Sequence, residues 1–430
     1  MAANPEPESP SACGRLMEEV CERENLKQAL KRVKANKGAP GVDGLTVQAL
    51  PAYLREHWPT IRASLLEGTY QPQPVRRVEI PKPDGGGVRK LGIPSALDRL
   101  VQQAVLQVLQ RQWDPTFSDS SYGFRPGRSA HQAVARAQDY IQAGHGWVVD
   151  LDLAQFFDRV NHDILMSRVA SRISDKRMLK LIRAFLTAGV LENGLVGATD
   201  EGTPQGGPLS PLLSNLMLDD LDKLLEQRGL RFVRYADDCN VYVRSERAGQ
   251  RVMAGLKAFL TSRLKLKVNE AKSAVAPPHT RKFLGFTFSN RDQVKRRIAP
   301  KALHRFKERV RELTQRSRGI SVDQMIGALK RYLTGWRGYF GFCETPSVLK
   351  QLDEWIRRRL RCFFWKQWKR GRTRFRELVA RGVNRNLAAQ TAGSPHGVWH
   401  LSNSPALNKA LSNRYFRSLG LPSLGPSPIN

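Results

Sequence analysis

The chain has 430 residues, of which 41% are hydrophobic and 8% aromatic, so it is long enough for two or three domains with apolar cores. Its 70 Lys and Arg residues against 39 Asp and Glu residues give a formal net charge of +31, which favours a polyanionic partner, nucleic acid before an anionic membrane. No apolar run approaches the roughly 18 residues of a membrane-spanning helix. The five cysteines form no CxxC pair and have no histidine at zinc-ligand spacing, so the sequence predicts no membrane protein and no zinc module, and a reducing, cytoplasmic location is expected.

The N-terminal part of the chain is predicted to hold helices and one β-hairpin. Helical spacing begins near residue 15 and runs to about residue 35, although the domain assignment leaves residues 1–24 as a disordered N-terminus. Residues 75–95 form two strand-like runs on either side of a PDGGG turn, which predicts a hairpin. An apolar stripe at helical spacing then predicts a helix over residues 96–112.

Two strand-like segments in the middle of the chain end in acidic residues. The apolar run WVVDL is followed by Asp152, and RFVRYADDCNVYV predicts a second hairpin with Asp237 and Asp238 at its tight turn. A long helix is predicted between these segments over residues 208–229. The segments LKVNEAKSAV and RKFLGFTFSN are further strand candidates, so this part of the chain is predicted to be a mixed α+β domain.

The pattern becomes helical and strongly basic after about residue 295. Residues 291–390 contain 27 Lys and Arg residues against 8 Asp and Glu residues, a net charge of +19. A solvated charged face is the ordinary explanation of such runs. Here, however, aromatic residues interleave with the charges, and that combination also suits a surface that tracks a nucleic-acid backbone.

The acidic residues at the two strand ends carry the clearest chemical signal. A carboxylate in an apolar run is costly, and adjacent carboxylates repel each other. Aspartate is also common at turns, so an isolated Asp-Asp pair has an ordinary structural explanation. If the two strands lie side by side, Asp152 and Asp237 meet at one end of a sheet. Two Mg²⁺ ions bridged by these carboxylates would relieve the repulsion and clamp the oxygens of a phosphoryl transfer.

Several motifs, taken together and in order, resemble those of reverse transcriptases. They are YADD in a hairpin, the upstream DLDLAQFFD, and TPQGGPLSP, whose QGGPLSP form is similar to that of group II intron reverse transcriptases, the maturases. The blocks GAPGVDG, YGFRPGRSAHQA and FLGFTF are similar to further family motifs, and GWRGYF resembles the thumb or maturase region. The likeness runs from about residue 25 to the end. It is strongest to the compact class C branch, which implies that no cysteine-bearing endonuclease domain is present.

The resemblance implies roles for the residues at the strand ends. Asp152, Asp237 and Asp238 match the catalytic triad of the family, with Asp152 and Asp237 as the main ligands of two Mg²⁺ ions and Asp238 in support. Phe157 falls where the family has a steric gate, a ring that would clash with the 2′-OH of a ribonucleotide. From the sequence alone, a plain core aromatic is the simpler explanation of Phe157.

The resemblance also implies a set of residues that bind the incoming dNTP. Lys82 and Arg89 flank the PDGGG turn and would grip the triphosphate, although without that context they are two solvated charges on a hairpin. Gln205 would pack over the nucleotide, and Lys272 would reach a phosphate.

The implied fold is a right-hand polymerase of the α+β class. Fingers and palm would span residues 25–290, a helical thumb or maturase domain residues 291–372, and a small basic C-terminal DNA- or RNA-binding domain residues 373–430. Intron RNA would bind the basic helices. Four residues are candidates for contacts with its phosphates: Arg357, Arg358, Lys366 and Lys369.

The implied reaction is attack of a primer 3′-OH on a dNTP, templated by RNA, with release of pyrophosphate. The second implied role is binding of intron RNA so that the intron splices, and with a DNA target the two activities would serve retrohoming of a mobile element. Two other functions stay open: a splicing cofactor that binds RNA without catalysis, and a reverse transcriptase recruited for host DNA repair or defence. Intron RNA domains flanking the gene would distinguish the mobile element from a recruited enzyme.

Overall fold

The computed structural model describes the chain apart from its ends and a few short internal segments; the described ranges are 15–81, 87–192, 195–197, 201–203, 206–315 and 319–425. Its contacts divide the chain into two compact units, Met1–Pro277 and Pro278–Asn430. The first unit combines helices with two four-stranded sheets, and the second is mainly helical. The predicted α+β class is therefore confirmed.

Several helices of the first unit begin at a Ser, Asn or Asp residue whose side chain accepts a backbone N–H of the first turn. Caps of this kind precede α4, α5, α6, α7 and α9, and they satisfy donors that have no partner within the helix. The helices of this unit are α1 (Leu16–Val20), α2 (Arg23–Ala35), α3 (Leu50–Glu67), α4 (Ala96–Trp113), α5 (Ala130–Gln142), α6 (His162–Ala170), α7 (Lys176–Thr187), α8 (Ser210–Gln227) and α9 (Glu246–Arg263).

The strands of the first unit form two separate sheets. One has the order β2-β1-β4-β5 and the other β6-β7-β3-β8. Their bounds are β1 (Val75–Pro81), β2 (Val88–Ile93), β3 (Trp147–Leu151), β4 (Val190–Glu192), β5 (Leu195–Gly197), β6 (Arg231–Tyr235), β7 (Asp238–Val243) and β8 (Ala274–Ala276). Both predicted hairpins are confirmed, since β1 pairs with β2 and β6 pairs with β7, each antiparallel.

The sheet β6-β7-β3-β8 is buried because its apolar strands pack under helices. Val149 and Val241 lie opposite each other in the β3–β7 pair, and both side chains are fully buried. Helix α9 packs against this sheet at Gly249, where an added Cβ would lie 2.4 Å from Val275 Cγ1. The sheet is thus a rigid base for the residues at its ends.

The structure corrects the predicted N-terminal boundary. Residues 15–24 are not a disordered lead-in, because α1 buries Leu16, Met17 and Val20 completely in the core of the first unit. The two compact units divide between Pro277 and Pro278, while the end of the palm at residue 290 stays a prediction.

The second unit is built from helices around a core of its own. Its only strand pair among the described residues is β9 (Phe286–Phe288) with β10 (Arg296–Ile298). None of the helices described in either unit is long and apolar enough to cross a bilayer. The helices of the second unit are α10 (Pro300–Leu313), α11 (Val322–Phe340), α12 (Pro346–Gln367), α13 (Gly371–Ala380), α14 (Arg385–Ala392), α15 (Val398–Leu401), α16 (Pro405–Ala410) and α17 (Asn413–Ser418).

Candidate active site

The turn of the YADD hairpin contains only two residues. Tyr235 at the end of β6 lies opposite Asp238 at the start of β7, so Ala236 and Asp237 form the connection. Ala236 has a φ of 57°, which suits the twist of a tight hairpin turn but is normally adopted by glycine. A non-glycine residue in such a conformation costs about 1–3 kcal/mol, and it persists only where the surrounding structure fixes it.

The segment before helix α5 fixes this turn from one side. The N–H of Tyr122 donates to the carbonyl of Arg234 at 2.8 Å, and the N–H of Arg234 donates to the carbonyl of Ser120 at 2.9 Å. A Cβ added at Gly123 would lie 2.3 Å from the backbone nitrogen of Ala236. Only glycine allows so close an approach, which accounts for the glycine in the YGFRPG motif.

A buried ion pair supports the turn from below. The guanidinium of Arg234 is fully buried and donates to both carboxylate oxygens of Asp222, at 2.7 and 2.5 Å. It also donates to the carbonyl of Ala236 at 2.9 Å, to Oδ1 of Asn215 at 3.0 Å and to Oγ of Ser121 at 2.8 Å. Burial raises the pKa of the Asp222 carboxyl, and the charge of Arg234 opposes that rise. Arg234 therefore ties the strained turn to helix α8.

The pairing of β3 with β7 brings the first predicted aspartate to the same end of the sheet. Leu151, the last residue of β3, lies opposite Cys239, the second residue of β7. Asp152 therefore follows β3 beside the turn that contains Asp237. The N–H of Asp152 donates to Oγ of Ser273 at 3.0 Å, which holds the backbone at this position.

The carboxylate of Asp152 acts electrostatically on Asp237. The pKa of Asp237 is raised, first by burial and then by the carboxylate of Asp152, while the guanidinium groups of Arg89 and Arg234 act in the opposite direction. A carboxylate raises its neighbour's pKa only over a short distance. The prediction that Asp152 and Asp237 meet at one sheet end is confirmed.

Asp238 directly follows Asp237 in the chain. It is the exposed first residue of β7. Among the residues that the structure describes, no group of three or more His, Cys, Asp or Glu side chains is arranged to hold a metal ion. The pair Asp152 and Asp237 still fits a hard divalent cation chemically, because carboxylate oxygens are the ligands that Mg²⁺ prefers.

Four residues besides Phe157 are predicted to bind the dNTP. Two of them, Arg89 and Lys272, lie beside Asp152 and Asp237. Nζ of Lys272 is 3.8 Å from Oδ2 of Asp152. Arg89 lies on the exposed part of β2 and lowers the pKa of Asp237 from there. The other two, Lys82 and Gln205, lie outside the described residues.

Phe157 lies between the core and the surface. Its ring is half-buried, stands edge-on to Phe156 with centroids 5.3 Å apart, and packs against the core of the first unit. Its carbonyl accepts the N–H of Thr203 at 2.6 Å, and the carbonyl of Val160 accepts the N–H of Gly202 at 2.8 Å. Phe157 is thereby attached to the start of the TPQGG segment.

The two glycines after Gln205 permit close packing. Gly206 has a φ of 136°, which only glycine adopts readily, and a Cβ there would lie 2.6 Å from the carbonyl oxygen of Gly92 on β2. A Cβ on Gly207 would lie 2.4 Å from Oε1 of Gln102 on α4. Gly206 and Gly207 therefore pack closely against β2 and α4, respectively.

Most of the aromatic residues in the basic helices belong to the core of the second unit. Five of the nine that interleave with the charges are buried, and the other four are half-buried. The buried ones are Trp336, Phe363, Phe364, Trp365 and Trp368. The half-buried ones are Tyr332, Tyr339, Phe340 and Trp355. The four predicted RNA-binding residues divide evenly, since Lys366 and Lys369 are exposed whereas Arg357 and Arg358 are half-buried.

Sequence reasoning missed the residues that position the aspartates. In the sequence, Arg234 stands out only as part of an alternating strand, although a positive charge among Phe232, Val233 and Tyr235 needs a buried partner as much as a carboxylate does. Its partner Asp222 lies on a different element, so no local spacing identifies it. Ser273, which anchors Asp152, belongs to a strand candidate and carries no signal of its own.

Comparison with known protein families gives two matches in chain order. Residues 80–288 match the family of reverse transcriptases described as RNA-dependent DNA polymerases, and residues 303–382 match the maturase-specific domain of group II introns. The strands that carry Arg89, Asp152 and Asp237 all lie within the first match.

The chain is also similar to individual proteins. The chain is 35% identical over 323 residues to Protein YkfC of Escherichia coli, covering 66% of this chain and 84% of that protein. It is 41% identical over 206 residues to the group II intron-encoded protein LtrA of Lactococcus lactis, covering 48% of this chain but only 34% of LtrA. A chain of the solved partial Cas6-RT-Cas1–Cas2 complex matches 57% of this chain and 42% of its own length, with 26% identity and a TM-score of 0.37.

Proposed function

The chain belongs to the family of group II intron reverse transcriptases with a maturase domain, and from this membership we propose how its residues divide the work. RNA-directed DNA polymerisation is the activity of the family. In the proposed reaction, a primer 3′-OH attacks a dNTP on an RNA template and pyrophosphate leaves. The first unit would supply fingers and palm, α10 to α12 the thumb or maturase domain, and α13 to α17 the basic C-terminal domain that binds DNA or RNA.

The pairing of Leu151 with Cys239 is the observation that carries this proposal, because it sets Asp152 beside Asp237 at one sheet end. Asp152 and Asp237 would hold two Mg²⁺ ions, and Asp238 would assist from the start of β7. Bound there, the ions would supply positive charge to the attacking and leaving oxygens. The strained turn and the buried Arg234 hold Asp237 in place for this role.

The incoming dNTP would lie between β2 and the acidic pair. Arg89 and Lys272 are the described cations at that place, and together with Lys82 they would neutralise the triphosphate. Gln205 would pack over the nucleotide. Phe157 is tied to the TPQGG segment and would contact the sugar.

The second unit would bind structured intron RNA and so assist splicing. Its residues 291–390 carry a net charge of +19, which a polyanion neutralises. With a DNA target, the polymerase and maturase activities would together serve retrohoming. A non-catalytic splicing cofactor would have no use for two mutually repelling carboxylates held on a strained turn, which favours the catalytic alternative.

Primer extension on an RNA template tests the proposed centre. Asp152→Asn and Asp237→Asn each remove a ligand charge without changing side-chain size, and DNA synthesis is expected to fall below about a thousandth of wild type. Retention of a structured RNA on a filter should stay as in wild type, because basic residues elsewhere bind it.

Asp163→Asn is the matched control for these two variants. Asp163 is 82% exposed and pairs with Arg183 on the surface of the first unit, so its loss should leave primer extension unchanged. Extension at the wild-type rate by either Asp152→Asn or Asp237→Asn would refute the assignment.

A further inference from the structure

A cavity of about 530 Å³ lies in the second unit between α12 and the helices that follow residue 397. Three arginines of α12 line it, Arg357, Arg358 and Arg361, and the lining contains a single carboxylate, that of the exposed Glu354. Three asparagines, Asn403, Asn408 and Asn413, and the indole of Trp399 form much of the opposite wall. The half-buried Trp355 also lines the cavity, so positive charge, amide groups and two aromatic rings converge on one concave site.

Arg361 distinguishes this cavity from an ordinary charged surface, because it is buried. Its side chain is 8% exposed, and within the described parts of the chain its one acceptor is the carbonyl of Leu411, which Nε reaches at 3.2 Å. Burial and then the neighbouring charge of Arg357 lower the pKa of Arg361. Arg361 thus carries its charge beside a second cation, with no carboxylate in ion-pair range among the described residues, so an anion that enters the cavity would compensate it.

The buried carboxylate nearby, that of Asp353, is already engaged. The carboxylate of Asp353 accepts the backbone N–H groups of Leu424 and Gly425 and the hydroxyl of Ser423, and it is 4.0 Å from Arg357. It therefore compensates one of the three arginines only in part. The anion-binding capacity of Arg358 and Arg361 remains available inside the cavity.

Trp399 gives the cavity a stacking surface. Its side chain is 45% exposed, and it is the only exposed large hydrophobic residue among the described residues of the second unit. The guanidinium carbon of Arg358 lies 4.0 Å from the ring centroid, and Arg358 also donates to the carbonyl of Trp399 at 2.9 Å. A cation thus lies over the indole, and the residue is exposed enough to offer ring surface to an aromatic ligand.

We propose that this cavity binds one unpaired nucleotide of an RNA, with a phosphate on Arg358 and Arg361 and the base stacked on Trp399. Asn403, Asn408 and Asn413 would meet the base edge, as amide groups do where single-stranded RNA is read. The choice of RNA rests on the proposed maturase function, since α12 lies within residues 303–382 that match the maturase-specific domain. A helical duplex has no unstacked base to offer and would not use Trp399.

The test uses the full-length chain with Trp399→Ala and Trp399→Phe, and fluorescence anisotropy with oligouridylate of about 12 nucleotides, a length in the range of known single-strand sites. Trp399→Ala is expected to weaken binding of the single strand roughly tenfold, as loss of one base–aromatic stack does. Trp399→Phe keeps a ring and should restore most of the affinity. Binding of a blunt RNA duplex should be the same for all three proteins.

Three results would overturn the assignment. If Trp399→Ala bound the single strand as tightly as wild type, no base would stack on Trp399. If Trp399→Ala lost the same affinity for the duplex as for the single strand, the ring would only support a basic surface. If a DNA oligomer of the same length bound the wild type as tightly as the RNA, and its affinity fell as much in Trp399→Ala, the cavity would be a site for single-stranded DNA. Failure of the maturase proposal would look different, because the wild-type chain would then bind no structured RNA at all.

Discussion

Two buried arginines, one in each unit, have opposite environments. Arg234 in the first unit is fully buried, and every direction of its guanidinium meets an acceptor of the chain, above all the carboxylate of Asp222. Arg361 in the second unit is nearly as buried but donates to one backbone carbonyl and faces Arg357. The charge of Arg234 is compensated within the fold, whereas Arg361 has no anionic partner among the described residues.

This difference separates charges that position residues from charges that bind ligands. A buried charge that holds a catalytic turn must be compensated by the protein, because it has to stay in place before the substrate arrives. A charge that serves a polyanion is uncompensated in the free protein and gains its partner on binding. The surplus of basic residues in residues 291–390 follows the second pattern.

Salt dependence of RNA binding gives the largest expected effect. If the second unit contacts 6–10 phosphates, affinity for a structured intron RNA falls by about 10³–10⁵ between 50 and 200 mM salt, since each bound phosphate releases condensed cations. A double variant Lys366→Gln/Lys369→Gln should flatten the logarithmic slope by about 0.7–0.9 for each phosphate that the variant no longer neutralises. Filter binding at several salt concentrations measures this slope.

A matched pair of exposed lysines serves as the control for that slope. Lys176 and Lys180 on α7 are exposed and belong to the first unit. Their double change to Gln removes the same charge and should leave the slope of wild type. A nearly flat salt dependence of the wild-type protein would mean that the basic helices are only a solvated face.

Stability distinguishes the two buried arginines directly. Arg234→Gln leaves Asp222 as an uncompensated buried charge and should lower the free energy of unfolding by about 3–5 kcal/mol. Arg361→Gln removes one hydrogen bond but also relieves repulsion with Arg357, so a change within about 1 kcal/mol is expected. Urea unfolding followed by circular dichroism compares the two. Equal decreases in the two variants would mean that both arginines are compensated within the fold.

Close backbone packing beside the dNTP site predicts a smaller effect on activity. Gly206→Ala forces a Cβ to within 2.6 Å of the Gly92 carbonyl, at a φ of 136°, and should displace the segment that carries Gln205. A shift of this kind lowers kcat/KM for dNTP by roughly 10–100-fold. Gly229 also has a positive φ, 65°, but no atom lies within 4 Å of an added Cβ. Gly229→Ala therefore places an alanine at a positive φ without a collision. Its kcat/KM should match wild type.

The sequence predicts the parts of the site that are local and misses those that depend on long-range packing. The YADD hairpin, the strand before Asp152 and the basic helices follow from periodicity and turn residues. The meeting of Asp152 and Asp237 is conditional on the two strands lying side by side, and β3 does pair with β7. Asp222 cannot be found in this way, because it approaches Arg234 of β6 from a different element, helix α8. The prediction for residues 15–24 is wrong because the three fully buried residues of α1 stand among many charges.

The smallest expected effect concerns the half-buried ring of Phe157. Phe157→Ala opens space beside the TPQGG segment, and incorporation of a ribonucleotide relative to a deoxynucleotide should rise roughly tenfold, the scale on which one hydrophobic contact discriminates substrates. Phe157→Tyr keeps the ring and should keep the discrimination of wild type. Because Phe157 also packs against the core, Phe157→Ala should lower the free energy of unfolding as well. Single-nucleotide extension with each substrate measures the ratio independently of how much enzyme is folded. A ratio unchanged in Phe157→Ala, together with reduced stability, would leave Phe157 as a core residue that only supports the neighbouring segment.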